Sequence, residues 1–385
     1  MPQPWRFAVV GLGQRIAAVL RAIGQAGAPF EVIGYADPQP VGLPLMREWG
    51  IGCGEAFASV DALLAAGPYD LVLIGSPNHL HLAHLEAAFA SRAPVFIEKP
   101  IVRTEAESLA VARLLARKDL PPVYVGLVLR SAPLVRCVLA LIDGGAIGRV
   151  VSIDATEHLP PEHGAYLARN WRRAKEWGGS FLLDKVCHDF DVFQRIAGAR
   201  AARVASVGGR SVFTDDARPG ALRYNDGEPA YNSRDAGWQG ADDAFASGMD
   251  VADHQVALVE YANGVRLSFH SNSHAALIER RWYIAGTEGT LIADVARNTL
   301  MWRRALHKAK PQRRKFESDP GDGHNGADIA MAHDLIAALQ GRAAFPVRPG
   351  DAVDAGLTVM AIDRAMEEGR VVDLGETWRA LGALR

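Results

Sequence analysis

Three ionisable side chains recur at helical spacing in the apolar stretch SFLLDKVCHDFDVFQ, residues 180–194. Asp184, His188 and Asp191 stand at positions i, i+4 and i+7, so a helix would place all three on one face over about two turns. A histidine between carboxylates on a helix can ligate a metal, do acid and base chemistry, or belong to a satisfied polar patch. The stretch by itself leaves these three alternatives open.

The composition limits the kinds of partner. A formal charge of -2, from 42 basic and 44 acidic residues, gives no overall attraction to nucleic acid or to an anionic membrane. No run of about 18 apolar residues indicates a membrane span. The basic stretch 302–316 lacks the interleaved aromatic residues of nucleic-acid binding and is predicted to be a solvated hairpin or loop. We therefore expect a small, roughly neutral ligand, with neither a nucleic-acid nor a membrane partner.

The cysteines and histidines give no metal or disulfide pattern. Cys53, Cys137 and Cys187 are an odd number without a CxxC pair, so neither a disulfide framework nor a four-thiolate zinc site is indicated. The histidines of TEHLPPEH and FHSNSH form no HExxH or other compact ligand set. We expect no metal, and a reduced, cytoplasmic location follows by elimination.

The N-terminal stretch FAVVGLGQRIAAVLRAIGQAG has the pattern strand, glycine turn, helix. Its glycines would let the backbone approach a pyrophosphate, and the helix N-terminus would offer amides and a positive dipole end. The third glycine of a full GxGxxG is missing, so an ordinary connecting turn remains an alternative. The candidate pyrophosphate-binding residues are Gly11, Gly13, Gln14, Arg15 and Ile16.

A second strand, FEVIGYAD, ends on Asp37. That spacing from the glycine turn suits the carboxylate that binds the adenosine ribose of a dinucleotide. Asp37 favours NAD over NADP because a carboxylate repels a 2'-phosphate, and Pro38 and Gln39 supply no positive charge. The other interpretation is a turn aspartate that precedes a proline.

Apolar strands at 70–75, 94–98 and 121–129 alternate with amphipathic helical stretches. Such alternation predicts a parallel sheet covered by helices on both faces. Ligands of such sheets bind beyond the carboxyl ends of the strands, where the stretches GSPNHLH and EKP stand. This adds Ser76, Pro77, Glu98 and Lys99 to the candidate cofactor-binding residues.

The second half of the chain predicts an antiparallel sheet, with turn signals at Asn263-Gly264 and Glu288-Gly289. Its β-branched runs are at 149–155, 202–207, 255–261, 264–270, 280–285 and 290–295. Two long helical patterns follow, and the polar, glycine-rich segment 213–248 is predicted to be a long, partly mobile loop. We expect a dinucleotide-binding domain over 1–128 and a substrate and oligomerisation domain over 129–385, whose C-terminal helices can pack back on the first domain.

The order of these motifs resembles that of the Gfo/Idh/MocA family of nicotinamide-dependent oxidoreductases, almost from end to end. The resemblance rests on the glycine turn and on SPNHLHLAHLEAAF, VFIEKPIVRTEAE, GAIGRVVSI, GGSFLLDKVCHDFD, YANGVRLSF and IAGTEGTLIAD. It implies a Rossmann doubly wound parallel sheet followed by a large, mostly antiparallel, open-faced sheet with helices on one face. It also implies that the open face makes the contacts of a homodimer or homotetramer.

The resemblance implies hydride transfer between NAD and a ring hydroxyl or ketone of a sugar, sugar acid or cyclitol. His188 is the expected base, because imidazole titrates near working pH, with Asp184 to orient it and Lys99 to donate to the reacting oxygen. The family positions that approach the cofactor correspond to Asn78, His81, Trp171 and Arg172. For Trp171 and Arg172, sugar binding and surface packing remain alternatives.

The expected substrate contacts are Lys99, His158, Lys185 and His188. Lys185, Val186 and Cys187 depart from the usual family pattern, and Lys185 either selects an acidic or densely hydroxylated substrate or points to solvent. We expect a structural role for Asp191. Two other functions remain open: an NAD-dependent glycoside hydrolase that works by transient oxidation and elimination, and a non-catalytic cofactor-binding sensor.

Overall fold

The computed structural model describes residues 3–223, 226–231, 236–317 and 324–383. The first third alternates strands with helices, as the apolar pattern predicts. Its elements are β1 (Trp5–Val10), α1 (Gln14–Gln25), β2 (Phe30–Ala36), α2 (Leu43–Glu48), β3 (Glu55–Ala56), α3 (Val60–Ala65), β4 (Leu71–Ile74), α4 (His81–Ala88), β5 (Val95–Ile97), α5 (Glu105–Leu115) and β6 (Val123–Val125).

In its described residues, the rest of the chain contains nine strands and seven helices. Its elements are α6 (Pro133–Asp143), β7 (Val150–His158), α7 (Pro161–Arg169), α8 (Lys175–Gly178), α9 (Phe181–Ala197), β8 (Ala201–Gly209), β9 (His254–Tyr261), β10 (Arg266–Asn272), β11 (Glu279–Gly286), β12 (Gly289–Asp294), β13 (Thr299–Arg304), β14 (Gln312–Lys315), α10 (Ala327–Leu339), α11 (Pro349–Glu368), β15 (Val372–Asp373) and α12 (Gly375–Gly382). Short 3-10 turns occur at Asn78–Leu80, Phe89–Ser91, Val128–Ser131, Trp171–Arg173 and Asp215–Ala217.

The described residues form two compact units. The first holds 3–132, 324–356 and 381–383, and the second holds 357–380 and the described residues from 133 to 317. The first unit thus extends four residues past the predicted boundary at 128. It also contains α10, which packs against α1.

The first unit contains a six-stranded parallel sheet in the order β3-β2-β1-β4-β5-β6. Its centre is apolar: Phe7, Val9 and the strand residues 71–74 are buried, and α1 covers them with Ile16 and Leu20. The predicted doubly wound sheet is confirmed. Because the strand order reverses between β1 and β4, the crevice beyond their carboxyl ends is where such sheets bind ligands.

The second unit contains a nine-stranded sheet in the order β14-β13-β12-β11-β7-β10-β9-β8-β15. The pair β7 and β10 is parallel and the other neighbours are antiparallel, which confirms the mostly antiparallel prediction. The basic stretch 302–316 forms most of the β13–β14 hairpin. Helix α9 packs on one face, where the rings of Phe190 and Phe193 contact Phe269 and Phe193 also contacts Trp282.

Strand alternation fixes which side chains share the helix-covered face. Phe269 and Trp282 are both register partners of Ala155, so the face they occupy also carries Glu157 and its partner Arg280. His158 and its neighbours on the opposite face are separated from α9 by the sheet. That open face includes Val207 and Leu258, which are 71% and 57% exposed.

Within the loop predicted over 213–248, the described part contains the 3-10 turn Asp215–Ala217 and an isolated bridge between Arg223 and Pro229. Residues 224–225 and 232–235 of that loop lie outside the described residues. No helix in the described ranges combines the length and the apolar character that crossing a bilayer requires.

Candidate functional site

The glycine turn after β1 is shaped by a close approach of two backbones. Gly11 has φ +81°, in the left-handed region that favours glycine. A Cβ at Gly11 would lie 2.4 Å from the backbone nitrogen of Ser76, the second residue after β4. Only glycine therefore lets the turn after β1 touch the turn after β4.

Helix α1 starts at this turn without a side-chain cap. Gly13 is its N-cap residue, in extended conformation, and the first turn contains no acidic side chain. The amides of the first helical turn thus keep their capacity to donate, and the helix dipole adds partial positive charge. A pyrophosphate fits this donor set, so the residues present suit a dinucleotide.

The missing third glycine has a counterpart on the sheet. A Cβ at Gly75 would lie 1.9 Å from Cγ1 of Ile16. In a full GxGxxG, the third glycine lets the helix pack closely on the strand. Here the helix carries Ile16 at that position, and the close contact is possible because the facing residue after β4 is Gly75. Sequence reasoning missed Gly75, although it is the first residue of the quoted stretch GSPNHLH.

Asp37 is held at the glycine turn by both oxygens of its carboxylate. Oδ2 accepts a hydrogen bond from the amide of Leu12 at 2.7 Å, and Oδ1 accepts one from Gln39 at 2.7 Å. Burial raises the pKa of Asp37, while the two amides act to lower it. The hydrogen bond from the amide of Gln39 is typical of a turn aspartate. The hydrogen bond from the amide of Leu12 instead fixes the Asp37 carboxylate to the glycine turn after β1.

The loops after β4 and β5 are joined by His81. Its Nδ1 lies 2.8 Å from the carbonyl oxygen of Pro100 and its Nε2 lies 2.9 Å from that of Ser76. His81 is 1% exposed, and burial lowers its pKa although both carbonyls and Glu98 act to raise it. Because both contacted atoms are carbonyl oxygens and a neutral imidazole has one N–H, His81 donates a hydrogen bond to one of these loops and packs against the other.

The other residues of the first loop are packed close to the strand end. Ser76 Oγ lies 2.8 Å from Nδ1 of His84, and burial together with the charges of His81 and His79 lowers the pKa of His84 to about 4. Pro77 precedes the 3-10 turn Asn78–Leu80, and Asn78 is buried. His84 is therefore neutral at physiological pH.

Arg15 and Glu98 belong to one ionic network in the first unit. Arg15 Nε lies 2.9 Å from Oε1 of Glu98, and its Nη1 lies 2.6 Å from Oδ1 of Asp328 on α10. The other oxygen of Glu98 accepts the amide of Lys99 at 3.2 Å, and the peptide between Lys99 and Pro100 is cis. Nη2 of Arg15 has no hydrogen-bond partner among the described residues. Asp328 had no signal in the sequence beyond its place in a helical pattern.

In the second unit, helix α9 carries Asp184, His188 and Asp191. Ser180 caps the helix by accepting the amide of Leu183 at 3.0 Å, and the helix ends at Gly198 in left-handed conformation. Asp184, His188 and Asp191 are all buried, with exposures of 4%, 6% and 1%. Asp184 stands in the first helical turn, where the dipole stabilises a carboxylate.

Arg172 forms an ion pair with Asp184. Its Nε lies 3.0 Å from Oδ2 and 3.1 Å from Oδ1 of Asp184. Nη1 donates to Oδ1 of Asn170 at 2.8 Å, and the guanidinium stacks 4.1 Å from the ring centre of Trp171. Trp171 and Arg172 were predicted at the cofactor; in the second unit they form a platform that holds the Asp184 carboxylate.

Lys185 on α9 contacts Glu157 of the nine-stranded sheet. Its Nζ lies 3.9 Å from Oε1 of Glu157, which also lies 3.4 Å from Nη1 of Arg280. Arg280 in turn makes two bonds to Asp189, at 3.0 and 2.5 Å. The prediction that Lys185 either points to solvent or contacts substrate did not include this cluster, because Glu157 and Arg280 are brought to α9 by strand register.

His158, whose contact with a substrate remains a prediction, lies apart from α9. It stands on the open face of the sheet, 4.7 Å from the ring of His270, and bonds to Asn272 at 3.1 Å. Its sequence neighbour Glu157 is the residue that shares a face with Lys185. Alternation along β7 therefore separates His158 from the residues of α9.

The described residues form neither a candidate metal site nor a disulfide. No group of three or more His, Cys, Asp or Glu side chains among them is arranged to hold a metal ion. The three cysteines, all within the described ranges, form no disulfide.

Comparison with known families agrees with this geometry. The family model described as "Oxidoreductase family, NAD-binding Rossmann fold" matches residues 5–127. The model described as "GFO/IDH/MocA C-terminal domain" matches residues 135–292. Together they cover more than half of the chain, which therefore belongs to the Gfo/Idh/MocA family of NAD-binding oxidoreductases.

Curated relatives give more detail. The chain is 26% identical over 330 residues to 1,5-anhydro-D-fructose reductase of Ensifer adhaerens, covering 84% of this chain and 85% of that one. It is 26% identical over 204 residues to inositol 2-dehydrogenase of Corynebacterium glutamicum (strain R), covering 53% and 57%. The chain spans less than two thirds of the length of that dehydrogenase and of several other curated relatives.

Solved structures share the fold across nearly the whole chain. Levoglucosan dehydrogenase in complex with NADH superposes with a TM-score of 0.77 at 21% identity, covering 96% of this chain and 99% of that one. An NAD binding oxidoreductase from Klebsiella pneumoniae gives a TM-score of 0.74 at 22% identity, covering 96% and 99%. At these identities the likeness establishes the fold alone.

Proposed function

We propose that this protein is an NAD-dependent dehydrogenase or reductase that transfers a hydride between the nicotinamide and a ring hydroxyl or ketone of a sugar, sugar acid or cyclitol. The observation that carries the proposal is the buried Asp184 on α9, held by Arg172 one helical turn from His188. The uncapped start of α1 supports the cofactor class. The names of the relatives, which include inositol, 1,5-anhydro-D-fructose and levoglucosan, support the substrate class.

The proposed cofactor residues begin at the glycine turn. Gly11 and Gly13 let the backbone approach the pyrophosphate, and the first-turn amides of α1, at Gln14 and beyond, donate to it. Asp37 would accept the ribose hydroxyls and disfavour a 2'-phosphate, so NAD is preferred over NADP. The hydrogen bond from the amide of Leu12 holds the Asp37 carboxylate beside the glycine turn.

The proposed chemistry uses few side chains. A bound nicotinamide would accept or give the hydride. His188 takes the proton of the substrate hydroxyl during oxidation and returns it during reduction, and Asp184 stabilises the charged imidazole. Arg172 orients Asp184 by donating from Nε to both carboxylate oxygens. Lys99 donates a hydrogen bond to the reacting oxygen, as the family resemblance implies.

We also propose a homo-oligomer formed through the open face of the nine-stranded sheet. That face carries the exposed apolar side chains Val207, Leu258 and Tyr283, and a shallow cavity of about 560 Å³ lined in part by Leu258, Arg203 and Glu260. A second copy would cover these side chains. Light scattering should give a dimer or tetramer mass for the wild type and a smaller mass for Leu258→Asp, whereas a monomeric wild type would contradict this proposal.

The function is tested by a screen of NAD reduction over inositols, aldoses, sugar acids and glycosides, with NADP in parallel. We expect formation of NADH with one class of polyol and slower reduction of NADP. Release of an aglycone with catalytic NAD and no net NADH would replace the proposal by redox-assisted glycoside hydrolysis. Tight NADH binding without turnover of any compound would replace it by a sensor.

A further inference from the structure

Arg15 follows the glycine turn by two residues, which is where a cation for a pyrophosphate would be sought. Its guanidinium is instead engaged by two carboxylates, Glu98 and Asp328, whose side chains are 7% and 9% exposed. Burial acts to lower the pKa of Arg15, but the two carboxylates raise it above its ordinary value. Two of its three nitrogens are thereby engaged by carboxylates of the protein itself.

The same contacts lead to Lys99. Oε1 of Glu98 accepts a hydrogen bond from Nε of Arg15 at 2.9 Å, and Oε2 accepts one from the backbone amide of Lys99 at 3.2 Å. A Cβ at Gly126 would lie 3.1 Å from each terminal atom of the Glu98 carboxylate, so the strand-end loop after β6 packs directly against it. The carboxylate is therefore confined between Arg15, Lys99 and Gly126.

Asp328 fixes the other side of the guanidinium. It stands in the first turn of α10, and Nδ1 of His324 lies 2.8 Å from its second oxygen. Burial acts to raise the pKa of Asp328, but Arg15 and His324 hold it well below its usual range. Arginine suits this place because its planar fork donates to two carboxylates at fixed angles, which a lysine ammonium cannot do.

We infer that Arg15 is a positioning residue for Lys99 and acts through Glu98. The chain of contacts Asp328, Arg15, Glu98, Lys99 sets the place of the lysine backbone at the end of β5. This inference rests on the proposed function, in which Lys99 donates to the reacting oxygen. A misplacement of about 1 Å can cost about 100-fold in rate, so loosening Glu98 is expected to lower turnover more than cofactor binding.

The kinetic test compares Arg15→Lys, Glu98→Gln, Lys99→Ala and the double variant Arg15→Lys with Lys99→Ala. Arg15→Lys should lower kcat by about tenfold or more, with the KM for NAD and the Kd for NADH within about threefold of wild type. In the Lys99→Ala background the same change should cost less than about twofold, because residues that act through one another are not additive. Arg21→Lys, on the same helix but stacked on Trp49, is the matched control.

A second readout does not depend on turnover. After reductive ¹³C-methylation, the resonance absent from Lys99→Ala identifies Lys99; it should shift in Arg15→Lys and Glu98→Gln and stay in place in Arg21→Lys. An unmoved resonance would overturn the inference, as would additive losses or a tenfold weaker Kd for NADH at unchanged kcat. Full activity of Lys99→Ala would instead refute the proposed role of Lys99, and the resonance would still decide whether Arg15 positions it.

Discussion

The guanidinium of Arg172 holds the carboxylate of Asp184, with Nε 3.0 and 3.1 Å from its two oxygens. The pair lies one helical turn before His188 and is stacked on Trp171. Arg172 is separated from Asp184 by 12 residues, so no helical periodicity connects them. The partner of the predicted catalytic aspartate is thus a residue that the sequence suggested for the cofactor.

Arg172→Ala should lower both turnover and stability. It removes the ion pair between Arg172 and the Asp184 carboxylate, whose side chain is 6% exposed, and breaking such a buried pair costs about 3–5 kcal/mol. Arg172→Lys should retain stability better and still lose about tenfold in kcat, because a single ammonium cannot reach Asp184 and Asn170 together. Arg200→Lys is the control, since Arg200 also stacks on a tryptophan, Trp378. Unchanged kcat with weaker NADH binding would assign Arg172 to the cofactor instead.

His188→Ala should reduce kcat by at least about 100-fold if His188 is the base, because positioned acid and base groups contribute that much or more. Steady-state kinetics with the substrate from the polyol screen measures the loss. Arg195→Ala is the matched control on the same helix, since Arg195 forms a surface pair with Asp143. A His188→Ala enzyme within a few-fold of wild type would exclude His188 as the base.

Asp37→Ser should narrow the preference for NAD over NADP by about tenfold or more. A carboxylate about 4 Å from a phosphate charge costs about 1–4 kcal/mol, and about 1.4 kcal/mol is a factor of ten. The ratio of kcat/KM for the two cofactors is the measurement. Glu31→Gln removes an exposed carboxylate from the same strand and should leave that ratio unchanged. An unaltered ratio in Asp37→Ser would refute the assignment of Asp37.

Arg280→Met should destabilise the protein by about 3–5 kcal/mol, because it leaves Asp189 and Glu157 buried without their shared cation. Lys185, at 3.9 Å from Glu157, compensates part of that loss. Urea denaturation measures the free energy of unfolding. Arg281→Met changes the next residue of β11, on the opposite face, and should cost less than about 1 kcal/mol. Equal losses in the two variants would show that the cluster does not stabilise α9 on the sheet.

Asp363 predicts a pH dependence of stability. Burial raises the pKa of Asp363 to about 7, and the charge of Glu367 adds to this effect. Hydrogen bonds with Ser180 and Gln255 and the charge of Lys175 act in the opposite direction. Since the folded state holds a proton that the unfolded state has released, the free energy of unfolding should fall as pH rises from about 4 to 7. Asp363→Asn should therefore be more stable than wild type at pH 8 and similar at pH 4 in chemical denaturation. The control is Asp242→Asn at an exposed position, which should leave the pH dependence of stability unchanged. A pH profile of Asp363→Asn that runs parallel to that of the wild type would contradict the prediction.

Local pattern was sufficient for the elements and their class. The glycine turn, the apolar alternation and the apolar runs of the second half predicted a parallel sheet followed by a mostly antiparallel one, and both are confirmed. The family was also predicted correctly, because its motifs are short, contiguous and ordered along the chain. Such features depend on near neighbours in the sequence, where spacing determines which side chains share a face.

The sequence by itself determined that α1 follows a glycine turn and that Asp184 and His188 share one face of α9. Only the tertiary structure decided their partners: Asp328 for Arg15, Arg172 for Asp184, and Arg280 for Asp189. These contacts join residues 12, 91 and 313 positions apart, and they depend on strand register or helix packing that no local period encodes. The same reason separates Glu157 from His158, because a shift of one residue along β7 exchanges the helix-covered face for the open one.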